Sequence, residues 1–330
     1  MNKPKIQGHL AILITSLIFG VNIPLSKNLM PDWMSPMGLT YSRFAFGAVA
    51  FWLLSLFLKT EKVTRKDMGT LFLGSLLGIG LNQAAFISGL QLTSATNASI
   101  VVTIMPILAM IISFFILKEP ITFKKAGGVI IGLIGVLSMI FTSEMASSGH
   151  QASIIGDFLC IFSCLSYAFF LVLMRGISKR YAPVTLMKWM FLFSSVLFFP
   201  FGFKEFVYAP IFTQGSSVAW SSYLYLLIGA TFLTYLLIPV AQKQIRPTTI
   251  GMYNYLQPLV ASFIAIMWGH DVFSWTKPLS AILIFTGVYF VTTSKSREDV
   301  EREQKAHLEN PVLNDLQLNA VTEPVNKSSR

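Results

Sequence analysis

A cation inside an apolar stretch is the residue of this sequence with the most chemistry to account for. Arg43 lies seven residues after Pro36, in a run long and apolar enough to cross a bilayer. By helix rise it sits roughly 10 Å below the edge of the hydrocarbon. A charge at such depth costs on the order of 3 kcal/mol or more. Arg43 is therefore expected to face the interior of a bundle. Two kinds of partner suit a guanidinium there: carbonyls at a helix end, or the carboxylate of a bound solute. Lys188 is a lesser problem. It stands five residues into a later run, near the edge, where its long stem can carry the ammonium to water.

Uncharged polar groups recur at helical spacing. Tyr253, Asn254 and Gln257 stand at i, i+1 and i+4, just before Pro258. Proline removes one backbone hydrogen bond and bends a helix, and the carbonyl it frees must find a partner or a cavity. Asn82-Gln83 and Thr234-Tyr235 fall near the middle of two other runs. Thr15, Phe19, Asn22 and Ser26 share one face of the first run, and Tyr167 stands where the second half repeats Phe19. The candidate solute-binding residues are thus Asn22, Arg43, Asn82, Gln83, Tyr167, Tyr235, Tyr253, Asn254 and Gln257. Pro106 and Pro258 are the candidate hinges. The positions matched to Tyr253, Asn254 and Gln257 are Val101, Val102 and Met105. One polar wall opposite one apolar wall suits an amphipathic solute.

Other chemistry finds little support. Cys160 and Cys164 are four residues apart, on one helix face. They read as small packing groups, since a metal would need further ligands and His9, His150, His270 and His307 all fall at run ends or in loops. No Walker A sequence is present, and no cofactor is expected. None of the 15 acidic residues lies near mid-run; Asp157 is the deepest. That argues against coupling to protons through a buried carboxylate. An integral membrane enzyme acting on lipid-linked substrates would need acids, bases or metal ligands clustered at one interface. A channel would show rings of like polar groups about an axis. Both remain as alternatives to a carrier.

The elements that must hold these residues follow from composition. Of the 330 residues 54% are hydrophobic and 12% charged, about half the charged share of a soluble domain. Lipid is the expected solvent. Ten runs can each span about 30 Å of hydrocarbon, near residues 9–29, 36–58, 67–89, 95–117, 123–142, 154–174, 183–203, 220–242, 249–268 and 276–294. The first follows Lys3 and Lys5 without a cleavage pattern after it, so it reads as a retained helix. The expected fold is all-α, integral to the membrane.

The net charge of +10 does not point to nucleic acid, because the basic residues lie in short clusters between the runs. Lys3, Lys5, the clusters at 59–66, 118–125, 175–180 and 243–246, and six residues of the tail fall on one side. Lys204 and Lys277 fall on the other. The positive-inside rule then places both termini in the cytoplasm. Residues 296–330 are charged and read largely as a disordered tail.

The second half repeats the first. An offset of 152 carries Thr96 onto Thr248, Pro106 onto Pro258, Glu119 onto Asp271 and Gly135-Val136 onto Gly287-Val288. Pro36 before the second run matches Pro183 before the seventh. Five runs per copy is an odd number, so the second copy enters the membrane from the opposite side. This inverted plan recurs among secondary transporters. The boundaries expected are an N-terminus at 1–8, one repeat at 9–142, an extracytoplasmic linker at 143–153, a second repeat at 154–294 and a tail at 295–330. Gly74 with Gly78, and Gly128 with Gly132, are small-residue pairs expected to let helices approach closely.

Certain motifs resemble a known family. Ser94-Ala95-Thr96-Asn97-Ala98, then Pro106, then Leu117-Lys118-Glu119-Pro120-Ile121-Thr122 is similar to the end of an EamA-type repeat of the drug/metabolite transporter superfamily. Arg43-Phe44, and Pro258 with Gly269-His270-Asp271, fit the same pattern more loosely, and Asp271 departs from it where the family more often has Glu. The resemblance covers about residues 8–294. It implies ten helices, cytoplasmic termini and a central cavity, usually for export of amino acids or related metabolites from the cell. The motifs are structural and name no solute.

Overall fold

The computed structural model describes residues 3–59, 61–93, 98, 101–144, 154–267 and 275–295, and all regular structure among them is helical. Of the residues singled out above, Ser94 to Asn97, His150, Gly269 to Asp271, His307, most of the 143–153 linker and the 296–330 tail lie outside the described residues.

In chain order the first half contains α1 (Lys3–Leu29), α2 (Pro36–Leu56), α3 (Arg65–Ser75), α4 (Asn82–Leu92), α5 (Met105–Leu117) and α6 (Phe123–Glu144). The second half contains α7 (Ile154–Ser178), α8 (Pro183–Val207), the single turn α9 (Ile211–Gln214), α10 (Ser217–Leu224), α11 (Thr234–Gln244), α12 (Pro247–Tyr253), α13 (Leu256–Met267) and α14 (Thr276–Thr292). A π-helical stretch, Leu76–Leu81, joins α3 to α4, and a second, Tyr225–Leu233, joins α10 to α11.

Local sequence sets many of the starts. Ser35, Thr64 and Ser216 each accept a backbone N–H three residues on, from Gly38, Asp67 and Ala219. These bonds satisfy donors that a helix start leaves open. Pro36, Pro183 and Pro247 occupy first-turn positions, where a missing N–H loses nothing.

Among the described residues six helical segments are long and apolar enough to cross a membrane: Lys5–Leu29, Pro36–Leu56, Arg65–Leu92, Ile154–Ser178, Pro183–Gln214 and Ser217–Gln244. Met105–Leu117 and Pro278–Thr292 are shorter apolar helices. Large hydrophobic side chains cover the outside, with Phe123 97% exposed and Phe115 73% exposed. Such a surface is stable facing acyl chains and not facing water. The chain is a multi-pass membrane protein.

Packing runs mostly between the halves, and it is symmetric under their exchange. α2 lies along α8, α6 along α14, and α5 against α12. The contact of α1 with α11 has its mate in that of α4 with α7. The contact of α1 with α13 is likewise mirrored by that of α7 with α5. Small residues make the closest approaches. A Cβ on Gly287 would stand 2.5 Å from the Gly128 carbonyl oxygen, and one on Gly78 would stand 2.2 Å from the Phe170 ring. Neither position has room for a side chain, so the glycine pairs serve packing.

One end of the bundle is tied by buried charge. Glu119, 3% exposed, pairs with Lys125 at 2.9 Å and with Arg175 of α7. Nearby, Asp67 accepts from Arg180 at 2.8 and 3.0 Å and from the Tyr181 hydroxyl at 2.8 Å. Glu61 accepts the Ala182 N–H at the start of α8. Each of these bonds joins residues from the two halves, apart from the local pair of Glu119 with Lys125.

Burial pushes the Glu119 carboxyl up, but attraction from Lys125 and Arg175 outweighs it, so the group is held below its ordinary value of 4.5. A carboxyl lowered on folding adds stability above its unfolded value, and that stability is lost as pH falls through the folded one. Glu119→Gln leaves two cations facing no acid. It should cost ~3 kcal/mol at neutral pH, read as a lower thermal midpoint in detergent. The gap from the parent should narrow as pH drops below 4.5. A gap independent of pH would contradict this account of the pair.

Candidate functional site

The symmetric packing leaves a hollow near the middle of the bundle. Its empty volume is about 660 Å³, counting the space at its mouth. Of the nine candidate residues, Asn22, Arg43, Asn82, Gln83, Tyr167, Tyr235, Asn254 and Gln257 line it. They come from α1, α2, α4, α7, α11, α13 and the turn before α13. Phe19, Phe86, Val102 and Met105 supply an apolar portion.

Arg43 is 3% exposed. Its Nε donates to Thr231 Oγ1 at 2.8 Å, and its Nη2 donates to the Ala230 carbonyl at 2.9 Å. The two readings of this residue thus coexist. It does bond a backbone carbonyl, though one inside the second π-helical stretch and not at a helix end. A π-helix re-registers its carbonyls, because each closes on a donor five residues along. Thr231 itself donates to the Leu226 carbonyl at 2.8 Å, across such a five-residue span. Nη1 has no protein partner, and no carboxylate pairs with Arg43 among the described residues.

The first π-helical stretch mirrors the second. The repeat offset carries Leu76–Leu81 onto 228–233, within Tyr225–Leu233. It also carries Gln83 onto Tyr235, and these two meet: Gln83 Nε2 donates to the Tyr235 hydroxyl at 3.0 Å. Tyr235 in turn donates to the Gly78 carbonyl at 3.2 Å, and Ser166 of α7 donates to the Leu77 carbonyl at 2.7 Å. Each half therefore holds carbonyls of the other half's π-helical stretch.

The remaining amides are partly engaged. Asn82 Nδ2 donates to the Ser163 carbonyl and hydroxyl at 3.1 and 2.8 Å. Gln257 Nε2 donates to Asn254 Oδ1 at 3.0 Å. Asn22 Oδ1 accepts from Ser26 at 3.4 Å.

The two prolines follow breaks. Residues 103–104 and 254–255 are turns, placing Pro106 at the second residue of α5 and Pro258 at the third of α13. The carbonyl freed at Asn254 is taken by the Gln257 N–H at 3.0 Å. The breaks lie against each other: a Cβ on Gly251 would stand 3.1 Å from Pro106 Cα.

Three expectations are corrected by this geometry. Tyr253 does not line the hollow; its hydroxyl lies 2.9 Å from His9 Nδ1 of α1. The helix ends at Tyr253, so the i, i+1, i+4 face does not continue through Gln257. Lys188 does not reach water. It is 7% exposed, with its ammonium 5.0 Å from the centre of the Trp52 ring, an arrangement that stabilises a cation out of water.

Some residues carried no signal strong enough to find them. Lys27 donates to the carbonyls of Leu90, Gln91 and Thr93 at 2.6 to 3.1 Å and so closes the end of α4. Ser163 and Cys164 line the hollow one turn from Tyr167, and that spacing was the available clue.

Relatives share this build. The chain is 22% identical over 301 residues to the "Uncharacterized transporter YetK" of Bacillus subtilis (strain 168), covering 90% of each chain. It is 26% identical over 286 residues to the "WAT1-related protein At4g30420" of Arabidopsis thaliana, covering 74% of each. A protein crystal structure matches the fold with TM-score 0.67 and 17% identity, over 88% of this chain and 96% of that one. The EamA-like transporter family model matches residues 6–141 and, a second time, residues 154–293, so the chain belongs to that family.

Proposed function

We propose that the chain is a secondary carrier that moves a small amphipathic metabolite, an amino acid or a similar anion-bearing solute, across the cell membrane, in the direction of export. The observation that carries this reading is Arg43. A guanidinium 3% exposed, facing a hollow, with Nη1 unengaged and no carboxylate paired to it among the described residues, is matched to a solute carboxylate. Phe19, Phe86, Val102 and Met105 would receive the apolar part. No metal or cofactor enters the scheme.

In this reading ten membrane crossings form two inverted units, 9–142 and 154–294. The N-terminus at 1–8 and the tail at 295–330 are cytoplasmic, and the linker at 143–153 is outside. The lysine and arginine clusters support that orientation, and the exchange-symmetric packing supports two equivalent units. The lining residues then gather about the middle of the bilayer, with Arg43, Asn82 and Gln83 on its outer side and Tyr235 and Asn254 on its inner side. The Glu119 and Asp67 clusters would close the cytoplasmic end. In this reading the hollow opens to the outside, and exchanging the conformations of the two units opens the inner side. The paired π-helical stretches suit that exchange, because a π-helical turn can convert to an α-helical one by shifting a single register.

Two measurements bear on this. A thermal-shift screen of the purified protein against amino acids and their analogues should yield a stabilising solute. That shift should largely vanish in Arg43→Met and Gln257→Leu, and persist in Lys188→Met. Equal loss in all three would place the site elsewhere. In a Cys160→Ser background, a charged methanethiosulfonate added from outside should label Cys164, and the solute should slow that labelling. Labelling only from the cytoplasmic side would contradict an outward-facing hollow.

A further inference from the structure

The hydroxyl of Tyr235 fixes more than its own position. It has one proton, which it donates to the Gly78 carbonyl at 3.2 Å. A carbonyl only accepts, so that direction is not open to choice. Tyr235 oxygen must then act as acceptor toward Gln83, which lies 3.0 Å away and presents Nε2. The amide of Gln83 is therefore oriented by its neighbour, with Oε1 turned away from Tyr235. That oxygen is buried and has no partner among the described residues, and Gln83 itself is 5% exposed and lines the hollow. A buried amide oxygen without a donor is costly in a low-dielectric site.

Two of the neighbouring amides lean the same way. Asn82 directs its N–H groups to Ser163, and Gln257 directs one to Asn254. Asn254 and Asn22 are instead engaged through their oxygens, so the distinctive acceptor of the lining is Gln83 Oε1, beside its one guanidinium. An anion without N–H donors would satisfy Arg43 and leave Gln83 Oε1 empty.

We infer that Gln83 Oε1 accepts an N–H from the ammonium of the solute, and that Tyr235 is the positioning residue that holds the amide in this sense. The site then takes zwitterions with a free ammonium, in preference to the corresponding acids and to quaternary ammonium forms. This rests on the hollow being the solute site.

The test uses the full chain in detergent or nanodiscs, with L-leucine and L-phenylalanine as probes. Each is compared with its N,N,N-trimethyl form and with its deaminated acid. The free amino acids should bind about tenfold or more tightly than either counterpart, the size expected for leaving one buried acceptor unpaired. Gln83→Leu should abolish that preference while still binding the acids. Tyr235→Phe, which frees the amide to turn over, should reduce it several-fold without the loss of a charge. Thr15→Val, at a hydroxyl bonded to the Ala11 carbonyl and away from the lining, should keep it. Equal affinities for all three forms in the parent chain, or a preference that survives Gln83→Leu, would overturn the assignment while leaving the solute site in place. Binding of none of the six probes would overturn the solute reading itself. Should Gln83→Leu not fold, the parent panel and Tyr235→Phe decide the matter.

Discussion

A guanidinium buried in an apolar bundle with no carboxylate paired to it among the described residues must find neutral acceptors, and in an α-helix almost no carbonyl is spare. Arg43 meets this constraint through Ala230 and Thr231. Those groups lie within residues 225–233, which are wound as a π-helix. The position of one charge, the winding of one helix and the existence of a hollow are thus a single arrangement. Rewinding that stretch as α-helix would re-aim the Ala230 carbonyl and so disturb its bond to the arginine. A solute held by the remaining donors of Arg43 therefore bears directly on the helix register, which links occupancy to shape.

The same logic appears in mirror image. Tyr235 and Ser166, from the second half, hold carbonyls at Gly78 and Leu77 in the first half's π-helical stretch. Neither half can rewind without the other losing a bond. At the charged end Glu119, Asp67 and Glu61 reach residues 175–182, so the halves are tied there by acids and cations in place of amides. The bundle joins neutral hydrogen bonds around the hollow to charged ones at one end.

Much of this was legible in the sequence, and the reasons differ by feature. Apolar runs near 20 residues mark spans because lipid offers the backbone no partners, and α1, α2, α7 and α8 fall on four of them. Pro106 and Pro258 marked the breaks through their missing N–H groups. Arg43, Asn82, Gln83, Asn254 and Gln257 stood out because polar groups are scarce in such runs, and all five line the hollow. The π-helical stretches were not legible: Leu76–Leu81 and Tyr225–Leu233 have ordinary apolar composition, and their winding is set by partners on other helices. Tyr253 was misplaced because a face extrapolated at helical spacing fails once the helix stops. Lys188 and Lys27 were hidden for a related reason, since Trp52 and the Leu90, Gln91 and Thr93 carbonyls that receive them lie far away in sequence.

The most direct measurement is a structure, determined in lipid, of the protein with a stabilising solute bound. The account predicts the anionic group of the solute within hydrogen-bond distance of Arg43 Nη1, while Nε and Nη2 keep Thr231 and Ala230. Solute density away from Arg43, or an arginine whose every donor is taken by protein in the bound form, would contradict it.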